Sequence, residues 1–366
     1  MAGLNLRDLD LSGTSLHKAI LHRANLQGAN LRDTDLSQAT LSEADLGGVY
    51  LSDTNLAMSN LSGANLRGAI LSGGDLHGAH MYNASLFLTD LCRANLHHAN
   101  LGKSTLDGAK LRDADLGNAD LTAASLRGSD LKGASLDGTN LYRADMWGAD
   151  LTATSLHWAN LREARLYRAC LRGARICLAN LCGANLRQAN LRDSYLDGTN
   201  LDDADLTEAN LQGAHLYGAH LCRSNLSRAN LSGADLSWSC LHNAILNGAV
   251  LDESSLERAQ LRDSHLNNVK LNWARLAGAD LERATLTSAY LFRTDLQGTN
   301  LSQANLSGAK LDGADLSHAD LRRANLTGAF LCGANLTGAN MDGTRLRRAD
   351  LSAATMPDGN IHNSAH

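Results

Sequence analysis

Along this chain the apolar positions recur neither every three to four residues nor every second residue, but every fifth. In steps of five from Leu6 to Met356 there are 71 positions; 66 hold Leu and the rest are Met81, Met146, Ile176, Met341 and Met356. Ile361 continues the phase, and no insertion or deletion interrupts it. Two residues before each of these centres stands a small residue, Ala at 48 of the 71 positions and Ser, Thr, Gly or Val at nearly all others. Only Leu4 and Leu9 break that rule. On an α-helix, centres five apart would rotate by about 140° per step and cover every side. On a strand, an odd period would send alternate centres to opposite faces. The chain must therefore turn a corner once per pentapeptide, so that every Leu returns to one interior and successive turns stack as a solenoid.

The polar residues agree. All charged side chains, 33 Lys plus Arg and 38 Asp plus Glu, fall one before, one after or two after a centre. So do every His through His362, all seven Cys and every aromatic residue. A buried unpaired charge is too costly to tolerate, so this segregation separates inside from outside. Each buried Leu contributes roughly 1.5–3 kcal/mol, and the small residue beside it suits a narrow tube.

The units Ala-Asn-Leu-Arg-Asp at 29–33 and Gly-Ala-Asn-Leu-Arg-Gly at 63–68, repeated in variants over residues 4–356, resemble the pentapeptide-repeat family. The resemblance implies an all-β fold, a right-handed quadrilateral β-solenoid with four pentapeptides per coil. On that basis 4–356 is expected to form one uninterrupted rod of about 17–18 coils, roughly 85 Å long at ~4.8 Å per coil. Residues 357–366 follow as a short C-terminal tail, because Pro357 cannot donate to the backbone ladder. The ending at 354–362 is similar to that of cyanobacterial members. The Asn or Asp before each centre suits a side chain that bonds its own backbone at a turn.

Composition then narrows the function. A net charge of -5 over 366 residues argues against a polybasic nucleic-acid binder and an acidic disordered chain. No apolar run approaches a membrane span, and no signal peptide is visible, so a bacterial cytoplasmic location is expected. The seven Cys include no pair 20 apart, which reads as reduced thiols. His77, His97 and His98 lie near one another on the coil map but show no recognised ligand spacing. No metal, cofactor or catalytic site is expected, since the surface is regular and lacks pocket-forming loops.

Two surface columns stand out. Arg127, Trp147, Tyr167 and Arg187 follow at steps of 20, flanked by Arg165 and Arg168. Lys270, Tyr290, Lys310 and Phe330 do the same, beside Trp273, Phe292 and Arg293. Either column could simply satisfy itself by cation–π stacking; exposed Trp, Tyr and Arg are also the usual anchors of protein interfaces. The expected function is a non-enzymatic scaffold or regulator with a protein partner, no direct nucleic acid and no membrane, and an end-on homodimer is compatible with it. The alternative is a DNA mimic acting on DNA gyrase or topoisomerase, as the family resemblance implies. Charge weighs against it: ~85 Å of duplex carries roughly 50 negative charges, whereas the most acidic of the four faces nets about six.

Overall fold

The computed structural model describes residues 3–362; residues 363–366 of the expected tail lie outside the described residues. Parallel bridges join residue i to i+20 in two runs, from Asn5↔Asn25 to Arg165↔Asn185 and from Asn190↔Asn210 to Asn335↔Thr355, so each coil consists of four pentapeptides. The chain packs as two compact units, Met1–Asn185 and Leu186–His366, each built from such coils.

The backbone donors of one pentapeptide explain its sequence. The centre's N–H donates to a carbonyl of the next coil, as Leu36 does to Asn55 at 2.7 Å. The residue before the centre donates to the preceding coil, as Asn55 does to Thr34 at 3.1 Å. The residue two after the centre donates to the next coil (Asp53 to Ser72, 3.1 Å), and the small residue closes the corner (Ala39 to Leu36, 3.0 Å). The N–H directly after the centre has no such backbone partner. The Asn or Asp before the centre supplies it: the Ser37 amide donates to Asp35 Oδ1 at 3.0 Å and the Ala57 amide to Asn55 Oδ1 at 3.1 Å. An unpaired backbone donor costs about as much as a lost hydrogen bond, which accounts for the Asn/Asp preference at that site. The same carboxylates accept from asparagines of the next coil, Asn55 to Asp35 at 3.2 Å and Asn95 to Asp75 at 2.9 Å.

The corner itself is made two residues after each centre. All of those residues from Gly3 to Ala353 have positive φ, and 43 of them are not glycine. The left-handed region costs an L-residue roughly 1–2 kcal/mol, and glycine almost nothing. Ala123→Gly and Ala153→Gly are therefore expected to raise stability by about 1 kcal/mol each, and Gly233→Ala to lower it by a similar amount. Thermal or denaturant melts of the three variants check this. The usual helix-interior ranking of Ala above Gly predicts the opposite sign.

Inside, Leu centres and Ala residues are fully buried away from the solenoid ends. Ser and Thr at the small position remain compatible with the interior by donating to carbonyls, as Ser104 Oγ does to Leu101 at 2.6 Å and Thr54 Oγ1 to Leu31 at 2.7 Å. In the second unit the chain ends its regular course at Thr355 and folds back. The Met356 amide donates to Asn360, the His362 amide donates to Ala354, and Thr355 pairs antiparallel with Ile361.

The expectation of reduced thiols fails for one pair. Cys222 and Cys240, 18 residues apart with Cα atoms 5.7 Å apart, form a disulfide; Cys92, Cys170, Cys177, Cys182 and Cys332 are free. A residue just after a centre faces not only its own equivalent in the next coil but also the residue just before that coil's centre. Asn140 Nδ2 reaches Thr122 Oγ1 at 2.8 Å by the same relation. A search restricted to equivalent positions of successive coils misses such pairs.

Several surface carboxylates are held below their ordinary range by arginine hydrogen bonds, among them Glu163 by Arg143, Asp203 by Arg223, Asp263 by Arg283 and Asp320 by Arg322. A folded-state value below the unfolded one gives stability that is present above about pH 4 and is lost as pH falls through the depressed value. The melting temperature is expected to hold from neutral pH down to about 5 and then fall toward pH 2. A melting temperature that rises on acidification would contradict this.

Candidate functional site

The first aromatic–basic surface lies in the unit Met1–Asn185. Arg127, Trp147 and Tyr167 each directly follow a centre and share one column, with Asp145 and Arg165 beside them. The Arg127 guanidinium donates to Asp145 from Nε at 3.0 Å and from Nη2 at 2.7 Å, and Arg165 Nη1 lies 3.8 Å from the same carboxylate. Asp145 raises the pKa of Arg127 above the usual arginine value. Arg127 thus holds to Asp145 rather than covering the Trp147 ring, because a charge-assisted hydrogen bond exceeds an exposed cation–π contact of about 0.5–1 kcal/mol. Tyr167 carries a stacked guanidinium, that of Arg168 at 5.0 Å. Trp147 remains 48% exposed. The missing side chain at Gly128 leaves a shallow groove of about 540 Å³ beside Trp147, Arg165 and Tyr167. Arg187 belongs to the other unit, where its Nη1 lies 3.6 Å from Asp205.

The second surface lies wholly in the unit Leu186–His366. Parallel bridges run Lys270↔Tyr290, Tyr290↔Lys310 and Lys310↔Phe330. Lys310 Nζ sits 4.2 Å from the Tyr290 ring centroid. Trp273 and Phe292 meet edge to face at 5.7 Å, and the Arg293 guanidinium lies 4.9 Å and 5.4 Å from their centroids. Trp273, Tyr290, Phe292 and Phe330 are nevertheless all exposed.

Sequence reasoning passed over other pairs that obey the same spacing. Arg258 lies over Trp238 at 4.9 Å, and Arg67 over Phe87 at 4.3 Å, each pair one coil apart in a single column. Trp158 and Leu178, also one coil apart, are exposed together in left-handed backbone. A cation or apolar residue one coil from an aromatic, in its own column or the adjoining one, was the available signal.

The histidines do gather. His77 and His97 stack at 6.0 Å, His98 meets His97 edge-on at 4.3 Å, and His97 Nδ1 lies 3.6 Å from Asp115. Among the described residues, however, no group of three or more His, Cys, Asp or Glu is arranged to hold a metal ion. Likewise, no helix among them is long and apolar enough to cross a membrane.

Pentapeptide repeats, in the form of an eight-copy family description, match residues 1–176 and 178–352 in overlapping segments. The chain belongs to the pentapeptide-repeat family. Its fold is accordingly the right-handed quadrilateral β-helix of that family. Among solved pentapeptide-repeat structures it is similar to HetL, described as involved in heterocyst differentiation regulation, from the cyanobacterium Nostoc sp. strain PCC 7120. That match has 36% identity, covers 58% of this chain and 91% of HetL, and has a TM-score of 0.43. Rfr23 from the cyanobacterium Cyanothece 51142 matches at 38% identity over 26% of this chain and 58% of its own, with a TM-score of 0.13. QnrB1, a plasmid-mediated fluoroquinolone resistance protein, matches at 18% identity over 58% of this chain and 82% of its own, with a TM-score of 0.20. No curated protein matched the sequence.

Proposed function

We propose that this pentapeptide-repeat protein is a non-enzymatic scaffold or regulator that binds protein partners through its outward faces, in a bacterial cytoplasm. The observation that carries it is the exposure of aromatic anchors amid cations on a surface that folding does not require. Trp147, Trp273 and Phe330 are 48%, 50% and 47% exposed while the Leu interior is complete without them. Trp, Tyr and Arg supply most binding energy at protein interfaces.

DNA mimicry has weaker support. The column Asp35, Asn55, Asp75, Asn95 is a hydrogen-bonded ladder in which the carboxylates accept from asparagines and turn amides. That role explains the acidic residues without a DNA-like partner. An end-on homodimer remains part of the proposal, read out by sedimentation over a concentration series.

Replacing Trp147, Tyr167, Trp273 and Tyr290 together with Ser is expected to abolish partner capture from the native host while leaving the melting temperature unchanged. Capture that survives the substitution would remove the assignment. Inhibition of gyrase supercoiling, or its protection from drug, would favour the DNA mimic instead. The Cys222–Cys240 bond bears on location: its persistence in protein alkylated directly in host lysate would argue against a reducing cytoplasm.

A further inference from the structure

We infer that the face between Lys270 and Phe330 is a docking site for a short acidic segment of a partner protein, laid in extended form along the direction in which coils stack. The inference rests on the interaction function proposed above and gives one of its two surfaces a ligand chemistry.

Many cations elsewhere on the surface are ion-paired. Arg112, Arg143, Arg223, Arg283 and Arg322 each hold a carboxylate within 2.7 Å. At the first surface Asp145 engages both Arg127 and Arg165. By contrast, Lys270, Arg293 and Lys310 make no ion pair among the described residues; Arg293 and Lys310 lie over aromatic rings instead. Three positive charges without counter-ions therefore sit within three coils, interleaved with four exposed aromatic rings. An aromatic face excludes water from an incoming carboxylate, and the cation lying on the ring keeps donors available to it.

The extent of the patch limits its ligand. Asp252 and Glu253 stand one coil before Lys270, and Asp350 stands one coil after Phe330 on the same face. From Lys270 to Phe330 is three coil steps, about 14 Å, which matches about four residues of extended peptide. A nucleic-acid backbone continuing past either end would meet those carboxylates; within the patch a short acidic stretch passes Asp312, whose Oδ1 accepts the Cys332 amide at 3.2 Å, among the three cations. Gly313 and Gly333 follow Trp273 and Arg293 in their column, and a Cβ at Gly333 would have nothing within 4 Å. Gly333 leaves an open floor where an apolar side chain of the segment can rest, while at Gly313 a Cβ would meet the Arg293 stem at 3.3 Å. Acidic residues with an apolar residue among them thus satisfy both halves of the surface.

The test is fluorescence anisotropy on the full chain with labelled eight-residue peptides. One is rich in Asp and Glu around a central Phe and Leu, one replaces each acid by its amide, and one replaces each acid by Lys. An oligothymidylate of similar charge serves as the nucleic-acid probe. The acidic peptide is expected to bind at least about tenfold more tightly than its amide counterpart, and less tightly as salt rises. The triple variant K270E/R293E/K310E is expected to lose about tenfold or more, and Y217S, at an exposed tyrosine outside both surfaces, to lose nothing. Unchanged melting temperatures show that the variants fold. Equal affinity for acidic and amide peptides, retained binding in the triple variant, or preference for the oligothymidylate would each overturn the inference. If the amide peptide binds as well as the acidic one and W273S abolishes both, the acidic ligand is wrong but the interaction function stands. If no peptide and no host protein binds either surface, both fall.

Discussion

Leu136→Ala is expected to lower the unfolding free energy by about 2–5 kcal/mol, whereas Leu88→Ala changes it by less than about 0.5 kcal/mol. The two substitutions remove the same atoms within one unit. Leu136 is a centre with no exposed surface, enclosed by the Leu and Ala side chains of its own and adjoining coils. Its truncation loses the transfer free energy of three carbons and leaves a cavity, because hydrogen bonds to both neighbouring coils hold the backbone and restrict collapse. The Leu136 amide donates to Ser155 at 2.7 Å, and the Ser135 amide donates to Ala114 at 3.0 Å. Leu88, two residues after a centre, is 57% exposed and has φ of 56°. Denaturant melts monitored by far-ultraviolet circular dichroism supply both values. A large loss at Leu88, or a negligible one at Leu136, would contradict the division into inward and outward positions.

The second large effect is expected at the disulfide. Reducing Cys222–Cys240, or making Cys222→Ser, should destabilise the protein by about 3 kcal/mol, from the closure entropy of a loop of this length. The bond spans one coil and joins positions that hydrogen-bonded side chains bridge elsewhere, so the coil geometry accommodates it without rearrangement. Adding reductant should lower the wild-type melting temperature and leave that of Cys222→Ser unchanged. Cys182→Ser, which removes a free thiol, is the control and should respond to reductant as wild type does. If reductant has no effect on the wild type, the pair is not bonded in solution.

Both effects bear on how much the amino-acid order reveals. The interior was legible because a five-residue corner leaves no freedom in which side chains turn inward; Leu136 and Ala134 can be placed from periodicity alone. The Asn/Asp ladder was legible in part, since a turn residue bonding its own backbone follows from side-chain length. Its second use, linking Asn55 to Asp35 and Asn95 to Asp75, depends on the coil stacking. The candidate surfaces were legible as columns, but their contacts were not. Trp147 and Trp273 have similar sequence surroundings, each with an arginine one coil away in its column. Arg127 turns to Asp145 in the adjoining column, whereas Arg293 makes no ion pair among the described residues and lies over Trp273. Which of two neighbours a flexible guanidinium chooses is decided by distances of a few ångströms between coils.

By itself, the sequence determined the solenoid, its interior and the list of outward residues, because burial of one large apolar and one small residue per corner is a local requirement repeated along the chain. Tertiary structure alone decided what the outward residues do to one another. It joined Cys222 to Cys240, gave Asp145 two arginines, and left Lys270, Arg293 and Lys310 without ion pairs among the described residues. The reason is that outward side chains meet across coils, either with their own equivalents or with the adjoining column, where neither packing nor backbone hydrogen bonding selects a partner in advance.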